Sequence, residues 1–185
     1  MTTANRAPMA PVDETDHVRG SSSPAVVLVE YGDYDCPHTR AAQAIVDRIV
    51  AENPDLQIAF RHFPLRYLHA NAETLARIAE AADRQGKFWA MHDHLMHHRS
   101  EIDGEALFAD AAASGVSMEE LRHAVGLESV RLRVERDVDS GRASGVHSTP
   151  SFFFDGVLHD GRYDYDTLSR KLAEARARRS SGRVS

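Results

Sequence analysis

The sequence predicts an α/β domain in which two sheet-forming regions are separated by a long helical segment. An almost continuously apolar run, Ala25–Tyr31, is followed by a helical pattern from Arg40 and then by the alternating run Leu56–Arg61. These three elements form a β-α-β unit. About 80 residues of helical periodicity follow, and strand signals return at Ser151–Phe154. A length of 185 residues fits one domain.

Composition excludes several classes of protein. Apolar residues make up 42% and charged residues 27% of the chain, values typical of a globular protein and not of a disordered one. No apolar run approaches the ~20 residues that span a bilayer. Lys and Arg number 22 against 28 Asp and Glu, and this excess of acidic residues disfavours general nucleic-acid binding. We therefore expect neither a nucleic-acid nor a membrane partner.

The chain divides into five predicted segments. Residues 1–24 show no apolar periodicity and no secretory signal, which predicts a mobile N-terminal lead and a cytoplasmic protein. The first half of the sheet domain covers 25–68, an inserted helical subdomain 69–143 and the second half of the sheet domain 144–176. Residues 177–185 are basic and are predicted to form a flexible tail. The oligomeric state is not predicted.

Apolar residues at helical spacing predict several short helices in the insert. The stripes are Ala72, Leu75, Ala76 and Ala79; then Phe88, His92, Leu95 and Met96; then Leu107, Phe108 and Ala111; then Val130, Val134 and Val138. Ser117–Glu120 has the spacing of a helix capping box.

Turn and helix signals also define the C-terminal region. Asp155-Gly156 predicts a two-residue hairpin turn after the strand at Ser151–Phe154. A last helix is predicted from about Asp166, with Leu168 and Leu172 facing inward.

The single cysteine, Cys36, stands where the first strand gives way to the first helix. Amides in the first turn of a helix lack acceptors within the helix, and the dipole is positive there, so both favour a thiolate. Pro37 suits the first helical position. His38 adds positive charge when protonated, and Thr39 offers a hydroxyl to the sulfur. This position argues against the alternative of a buried, inert cysteine and predicts a reactive thiol.

Four segments of the sequence resemble the DsbA-like thiol–disulfide oxidoreductases of the thioredoxin superfamily. They are Val29–Thr39 with its Cys-Pro-His-Thr motif, Phe60–Leu65, Gln85–Asp93, and Gly145–Gly156 with its Thr-Pro motif. The resemblance covers about residues 16 to 175. It implies a thioredoxin-like fold with a central mixed sheet and an inserted helical domain.

The resemblance also implies a set of site residues. Cys36 matches the attacking cysteine, Pro37 and His38 match the dipeptide that tunes it, and Pro150 matches the cis-proline beside the sulfur. Thr149 matches the residue whose backbone pairs with a bound peptide or thiol. Ser148 and Tyr34 are assigned with Thr149 to substrate binding.

The sequence departs from the family at Thr39, which occupies the position of the second, resolving cysteine. Because no other cysteine exists, a mixed disulfide on Cys36 must be resolved by an external thiol. We therefore expect a monothiol oxidoreductase with no tightly bound cofactor. Glutathione or another low-molecular-weight thiol is the candidate co-substrate, and a small thiol or a protein thiol or disulfide is the substrate. The alternatives are a glutathione-dependent transferase or isomerase and a non-catalytic peptide-binding module.

The remaining histidines are interpreted as structural. Met91–His98 places His94 and His98 four residues apart, as two ligands on one helix face would be, but a metal site needs further ligands from elsewhere. The segment is therefore interpreted as a solvated helix face with one histidine, His92, packed beneath it. His62 and His69 are assigned structural roles, and no metal site is predicted.

Overall fold

The computed structural model describes residues 8–97, 115–159 and 161–182. It has a mixed five-stranded sheet with the spatial order β1-β3-β2-β4-β5. In chain order the strands are β1 (His17–Gly20), β2 (Val26–Gly32), β3 (Leu56–His62), β4 (Ser151–Phe154) and β5 (Val157–Leu158). Strands β2 and β3 are parallel, and the other three pairs are antiparallel. The α/β class and the β-α-β start are confirmed.

Six helices are present in the described part of the chain. They are α1 (Pro37–Glu52), α2 (Ala72–Asp83), α3 (Phe88–His97), α4 (Met118–Val125), α5 (Glu128–Ala143) and α6 (Tyr165–Gly182). Within the described ranges, no helix is both long enough and apolar enough to cross a membrane.

The two faces of the sheet are covered by different helices because side chains alternate along each strand. On β2, Leu28 packs with apolar residues of α1 and α6, whereas Val29 and Tyr31 pack with Val134 and Val138 of α5. A third cluster joins α2, α3 and α4. The central strand β2 is therefore buried on both faces, and the turn after its C-terminal end leads to Cys36.

Local signals predicted most of these elements correctly. The Ser117 side chain accepts a hydrogen bond from the Glu120 amide at 3.4 Å and caps α4. The hairpin turn is formed by Asp155 and Gly156, whose φ angles of 49° and 80° both lie in the left-handed region. The predicted inward positions Leu168 and Leu172 of α6 are buried. The stripe Leu107, Phe108 and Ala111 lies outside the described residues.

The N-terminal lead requires a correction, because strand β1 lies inside residues 1–24. It pairs antiparallel with β3, with His17 opposite Phe60. The strand carries little apolar signal: Val18 is 39% exposed, while the neighbouring Asp16 and His17 are buried polar residues. Ion pairs with partners far along the chain fix this edge strand, so hydrophobic periodicity could not reveal it.

The predicted C-terminal boundary is also revised. Helix α6 continues past residue 176 to Gly182, through most of the segment predicted to be a flexible tail. Two arginines fix it to the sheet end of the domain: Arg176 pairs with Asp55, and Arg179 pairs with Asp155 at 2.6 Å. The helix persists because these tertiary ion pairs supplement a weakly amphipathic sequence.

Candidate active site around Cys36

Cys36 occupies the N-cap of α1, immediately after the turn that follows β2. Its backbone is extended, with φ −79° and ψ 119°, and Pro37 takes the first helical position. The Cys36 amide donates to the Asp33 carbonyl at 3.0 Å, and the Cys36 carbonyl accepts from the Arg40 amide at 3.1 Å. The cysteine is in no disulfide and is 3% exposed. This confirms the predicted position of the thiol at a helix N-terminus.

The buried carboxylate of Asp33 fixes the turn that carries the cysteine. One oxygen accepts from the Asp35 amide at 2.9 Å. The other accepts from the Leu65 amide at 2.9 Å and lies 2.7 Å from Nδ1 of His69. The segment after β3 is therefore tied to the Cys36 turn, and His69 has the structural role assigned to it.

The loop before β4 reaches the sulfur through its backbone. The Cys36 thiol donates to the Thr149 carbonyl with an Sγ–O distance of 3.4 Å. The peptide bond between Thr149 and Pro150 is cis, the conformation that the family resemblance implies. Thr149 is buried, and its hydroxyl has no hydrogen-bond partner among the described residues. The exposed Ser148 accepts a hydrogen bond from the Ser151 hydroxyl at its carbonyl oxygen, at 2.7 Å.

Thr39 lies fully buried beneath the turn. Its hydroxyl accepts from the Asp33 amide at 3.4 Å. A side chain on Gly32 would have its Cβ 3.1 Å from the Thr39 methyl group and 2.4 Å from the Phe60 ring, so glycine permits this close packing. The Thr39 hydroxyl thus forms a hydrogen bond within the turn, whereas a hydrogen bond to the sulfur was predicted from the sequence.

His38 is exposed beside the cysteine and contacts a residue that the sequence analysis did not select. Its Nδ1 atom lies 3.0 Å from the hydroxyl of Tyr163, in the segment before α6. The contact joins the first turn of α1 to the segment before α6. No local pattern indicates it, because 125 positions separate the two residues.

The assignment of Tyr34 to substrate binding is wrong. Its side chain is 1% exposed and packs in the helical cluster, and its hydroxyl lies 3.1 Å from Nδ1 of His92. The chain directs this ring into the core. His92 is 2% exposed, and burial lowers its pKa well below the usual value. This confirms that His92 is a packed histidine; His98 lies outside the described residues.

Glu30, on the strand that leads to the Cys36 turn, is a buried titratable group that was not predicted from the sequence. It lies on β2 two residues before Gly32, is 1% exposed, and its Oε1 atom has no partner within the described residues. Burial, with repulsion from Asp47, raises its pKa to about 8, although Arg19 opposes the shift. The carboxyl is therefore mostly protonated at neutral pH. A lone acidic residue inside the apolar run Ala25–Tyr31 was the available signal.

Comparison with known proteins identifies relatives of this architecture. The family model described as thioredoxin matches residues 12–174. A crystal structure of a thioredoxin-like oxidoreductase from Silicibacter pomeroyi superposes with a TM-score of 0.81 at 28% identity, covering 89% of this chain and 94% of the other. BdbD from Bacillus subtilis superposes with a TM-score of 0.78 at 19% identity, over 94% and 100% of the two chains, and this likeness shows the fold alone.

Curated relatives of the chain are named as Na(+)/H(+) antiporters and not as thioredoxin-like proteins. A Na(+)/H(+) antiporter NhaA 1 from Salinispora arenicola is 36% identical over 168 residues, which is 90% of this chain and 26% of the relative. The antiporter NhaA 1 of Mycolicibacterium vanbaalenii is 36% identical over 172 residues, 91% of this chain and 28% of that protein. The chain thus spans about a quarter of the length of the curated relatives that it matches.

Proposed function

Because the chain belongs to the thioredoxin family whose model it matches, and is similar to a thioredoxin-like oxidoreductase, we propose that Cys36 carries out thiol–disulfide exchange of the DsbA-like type by a monothiol mechanism. The observation that supports this most is the position of the sulfur at the N-terminus of α1, against the carbonyl of Thr149. The first turn of α1 contains no second sulfur, since a buried threonine stands at residue 39. The site therefore has a thiol that can attack a disulfide but no second thiol that could release the substrate from the mixed disulfide.

The proposed reaction has two balanced steps. The Cys36 thiolate attacks one sulfur of a substrate disulfide, so that a Cys36–substrate disulfide forms and the other half leaves as a thiolate. An external thiolate then attacks this mixed disulfide, regenerates the Cys36 thiolate and carries away the first half as a new disulfide. In the net exchange the external thiol is oxidised into the new disulfide while one half of the substrate disulfide is released as a thiol, and a second external thiol would release the other half. Glutathione or another low-molecular-weight thiol is the external thiol in this proposal.

Substrate binding is assigned to the backbone of the loop before β4. Once Cys36 is ionised or bound to substrate, its S–H no longer occupies the Thr149 carbonyl. That oxygen then accepts an N–H from an extended peptide or from the amide of a glutathionyl group. Because the cysteine is only 3% exposed, the proposed substrate is a disulfide on an accessible, unfolded or small molecule, and the surface approached carries the exposed Pro37 and His38.

The transport activity in the names of the relatives is not carried over to this chain. The similarity covers about a quarter of those proteins, and for the matched region we propose the thiol chemistry of Cys36. The cytoplasmic location and the lack of a nucleic-acid partner remain predictions from the sequence.

Turnover of a defined mixed disulfide tests the proposal. The full chain is mixed with a glutathionylated peptide and reduced glutathione, and release of the peptide thiol is followed together with the mass of the protein. We expect a transient increase equal to one glutathionyl group on Cys36 and catalytic release of the peptide. Cys36→Ser is expected to abolish both, and Glu119→Gln, at an exposed glutamate of α4, is the surface control. Absence of an adduct and of turnover in the wild type would contradict the proposal.

A non-catalytic peptide-binding module is the second candidate. The low exposure of Cys36 favours it. The two candidates differ in the fate of the sulfur: a binding module retains peptide affinity after Cys36→Ser and shows no adduct. No contact in the described site favours a transferase or isomerase, which stays an alternative from the sequence.

A further inference from the structure

A cluster of three buried polar side chains lies outside the Cys36 site and joins three elements. Glu80 of α2 places Oε1 2.8 Å from Nε2 of His17 on β1 and 2.9 Å from Nε2 of His62 at the end of β3. The three side chains are 4%, 8% and 1% exposed. One potential ligand atom from each residue falls within 4.8 Å of the other two. No local pattern indicates the cluster, because 63 and 18 positions separate the two histidines from Glu80.

These atoms match the ligand preferences of a divalent transition metal. Two imidazole nitrogens and one carboxylate oxygen form a ligand set that zinc accepts, with water in a fourth position. At zinc–ligand distances of about 2.1 Å, tetrahedral ligand atoms stand roughly 3.4 Å apart. The observed separations of 2.8 and 2.9 Å therefore need shifts of less than about 1 Å to admit a cation.

The charges around the cluster leave room for a dication. Arg61 pairs with Asp16 at 2.8 Å, and Arg133 pairs with Asp137 at 2.5 Å, so these two arginines are matched by two carboxylates. The carboxylates of Glu80 and Asp83 remain, and with neutral histidines they carry two negative charges. Asp83 Oδ1 stands 3.6 Å from Nδ1 of His17, the position of a carboxylate that orients a metal-bound histidine.

The cluster also has an access route. A cleft of about 360 Å³ is lined by His17, Glu80, Asp83 and Arg133, among other residues. Arg133 opposes a cation, since its Nε lies 3.8 Å from Oε1 of Glu80, and a second arginine, Arg84, also lines the cleft. The Nδ1 atom of His62 has no partner in the described part of the protein, so the contacts of this ring's nitrogens are limited to Glu80.

We propose that His17, His62 and Glu80 form a divalent transition-metal site, best suited to zinc, whose fourth position faces the cleft beside Asp83. The bound cation joins β1, β3 and α2. It thereby anchors the N-terminal strand, which contributes little apolar packing of its own. The site is independent of the thiol chemistry at Cys36.

Metal binding to the full chain tests this assignment. The protein is treated with a chelator, dialysed, and titrated with Zn²⁺ in competition with a chromophoric chelator, in wild type, Cys36→Ser, Glu80→Gln, His17→Gln and His97→Gln. We expect one strong site in wild type and Cys36→Ser. Glu80→Gln and His17→Gln are expected to lose more than about 100-fold in affinity, beyond the 10- to 100-fold typical of outer-sphere residues. His97→Gln is the matched control, because His97 pairs with Asp47 at 3.1 Å on the surface.

Co²⁺ absorption spectra and thermal unfolding distinguish metal binding at this cluster from metal binding at Cys36 and from a cluster that binds no metal. Co²⁺ bound to the cluster is expected to show visible d–d bands without the near-ultraviolet charge-transfer band of a thiolate ligand. Zn²⁺ is expected to raise the Tm of wild type and Cys36→Ser but not of Glu80→Gln, whose amide oxygen still accepts hydrogen bonds from both histidines. A thiolate band, affinity lost with Cys36→Ser, or equal affinity in wild type and Glu80→Gln would overturn the proposal. So would a Tm that is indifferent to Zn²⁺, which would show that protons alone neutralise the cluster.

Discussion

The sulfur of Cys36 lies 3.4 Å from the main-chain carbonyl oxygen of Thr149, 113 positions further along the sequence. The contact brings the N-terminus of α1 against the loop before β4. Because the contact uses the backbone carbonyl of residue 149, the side chain at that position can be changed without removing the contact.

Thr149→Val is therefore expected to keep the reactivity of Cys36 and to raise stability. The Thr149 hydroxyl is buried without a partner among the residues described, and replacing such a group by a methyl of similar shape removes a desolvation cost of about 1 kcal/mol. The free energy of unfolding, from urea titration, is expected to rise by about that amount. Rates of alkylation and of adduct formation should stay within a few-fold of wild type. A loss of reactivity would mean that the hydroxyl itself serves the sulfur.

Thr39→Cys is expected to convert the protein to a dithiol. The substitution places a second sulfur in the first turn of α1, with the two-residue spacing that lets a helix N-terminus close a disulfide. Mild oxidation of the variant should remove two hydrogens from the mass without dimerisation. Wild type and the control Thr39→Ser should instead give adducts, a sulfenic acid or a Cys36-linked dimer. The variant should also reduce insulin faster than wild type, and equal rates would contradict the monothiol mechanism.

Glu30→Gln is expected to stabilise the protein in a pH-dependent way. Burial raises the pKa of Glu30 to about 8, from a value of 4.5 without the fold. Between these two values the unfolded chain loses this proton while the folded chain keeps it, so wild-type stability falls as pH rises through that window. Below it both states are protonated, and the glutamine has little effect.

The gain from Glu30→Gln should therefore grow from about pH 5 to about pH 8 and reach on the order of a few kcal/mol. Urea unfolding at several pH values measures it, and Glu119→Gln, at an exposed glutamate, is the control. A pH-independent difference would show that Glu30 ionises normally in the folded protein.

The ion pair between Arg61 and Asp16 is expected to be the main anchor of the N-terminal strand. Two hydrogen bonds of 2.8 Å join the two side chains, which are 2% and 0% exposed. Asp16→Asn leaves the buried guanidinium without its countercharge and should cost about 3–5 kcal/mol. The double variant Asp16→Leu/Arg61→Met should lose less free energy of unfolding than the sum of the losses of the single variants Asp16→Leu and Arg61→Met.

An exposed ion pair provides the comparison for this cycle. Arg48 and Glu52 are 58% and 44% exposed at a distance of 2.8 Å, so Glu52→Gln should change the free energy of unfolding by less than about 1 kcal/mol. Equal costs for the two pairs would contradict the anchoring role of Asp16.

The elements set by local periodicity were predictable from the sequence. Strand β2, helix α1, the cap at Ser117 and the hairpin turn at Asp155-Gly156 each depend on residues within a few positions of one another. The place of Cys36 at a helix N-terminus follows from the same local signals, and so does the lack of a resolving cysteine. The sequence by itself therefore determined the α/β class and the position of a single cysteine at a helix N-terminus, while the thiol chemistry and the need for an external thiol stay predictions.

Only the tertiary structure decided which distant groups meet. It turned Tyr34 into the core, formed β1 within the predicted lead, set Thr149 against the sulfur and brought His17 and His62 to Glu80. These contacts join residues 18 to 113 positions apart. Helical and strand periodicity report only which face of an element is apolar, whereas buried charges and polar groups are satisfied by partners that the packing of whole elements supplies. For that reason the polar interior of this protein could be read only from the folded chain.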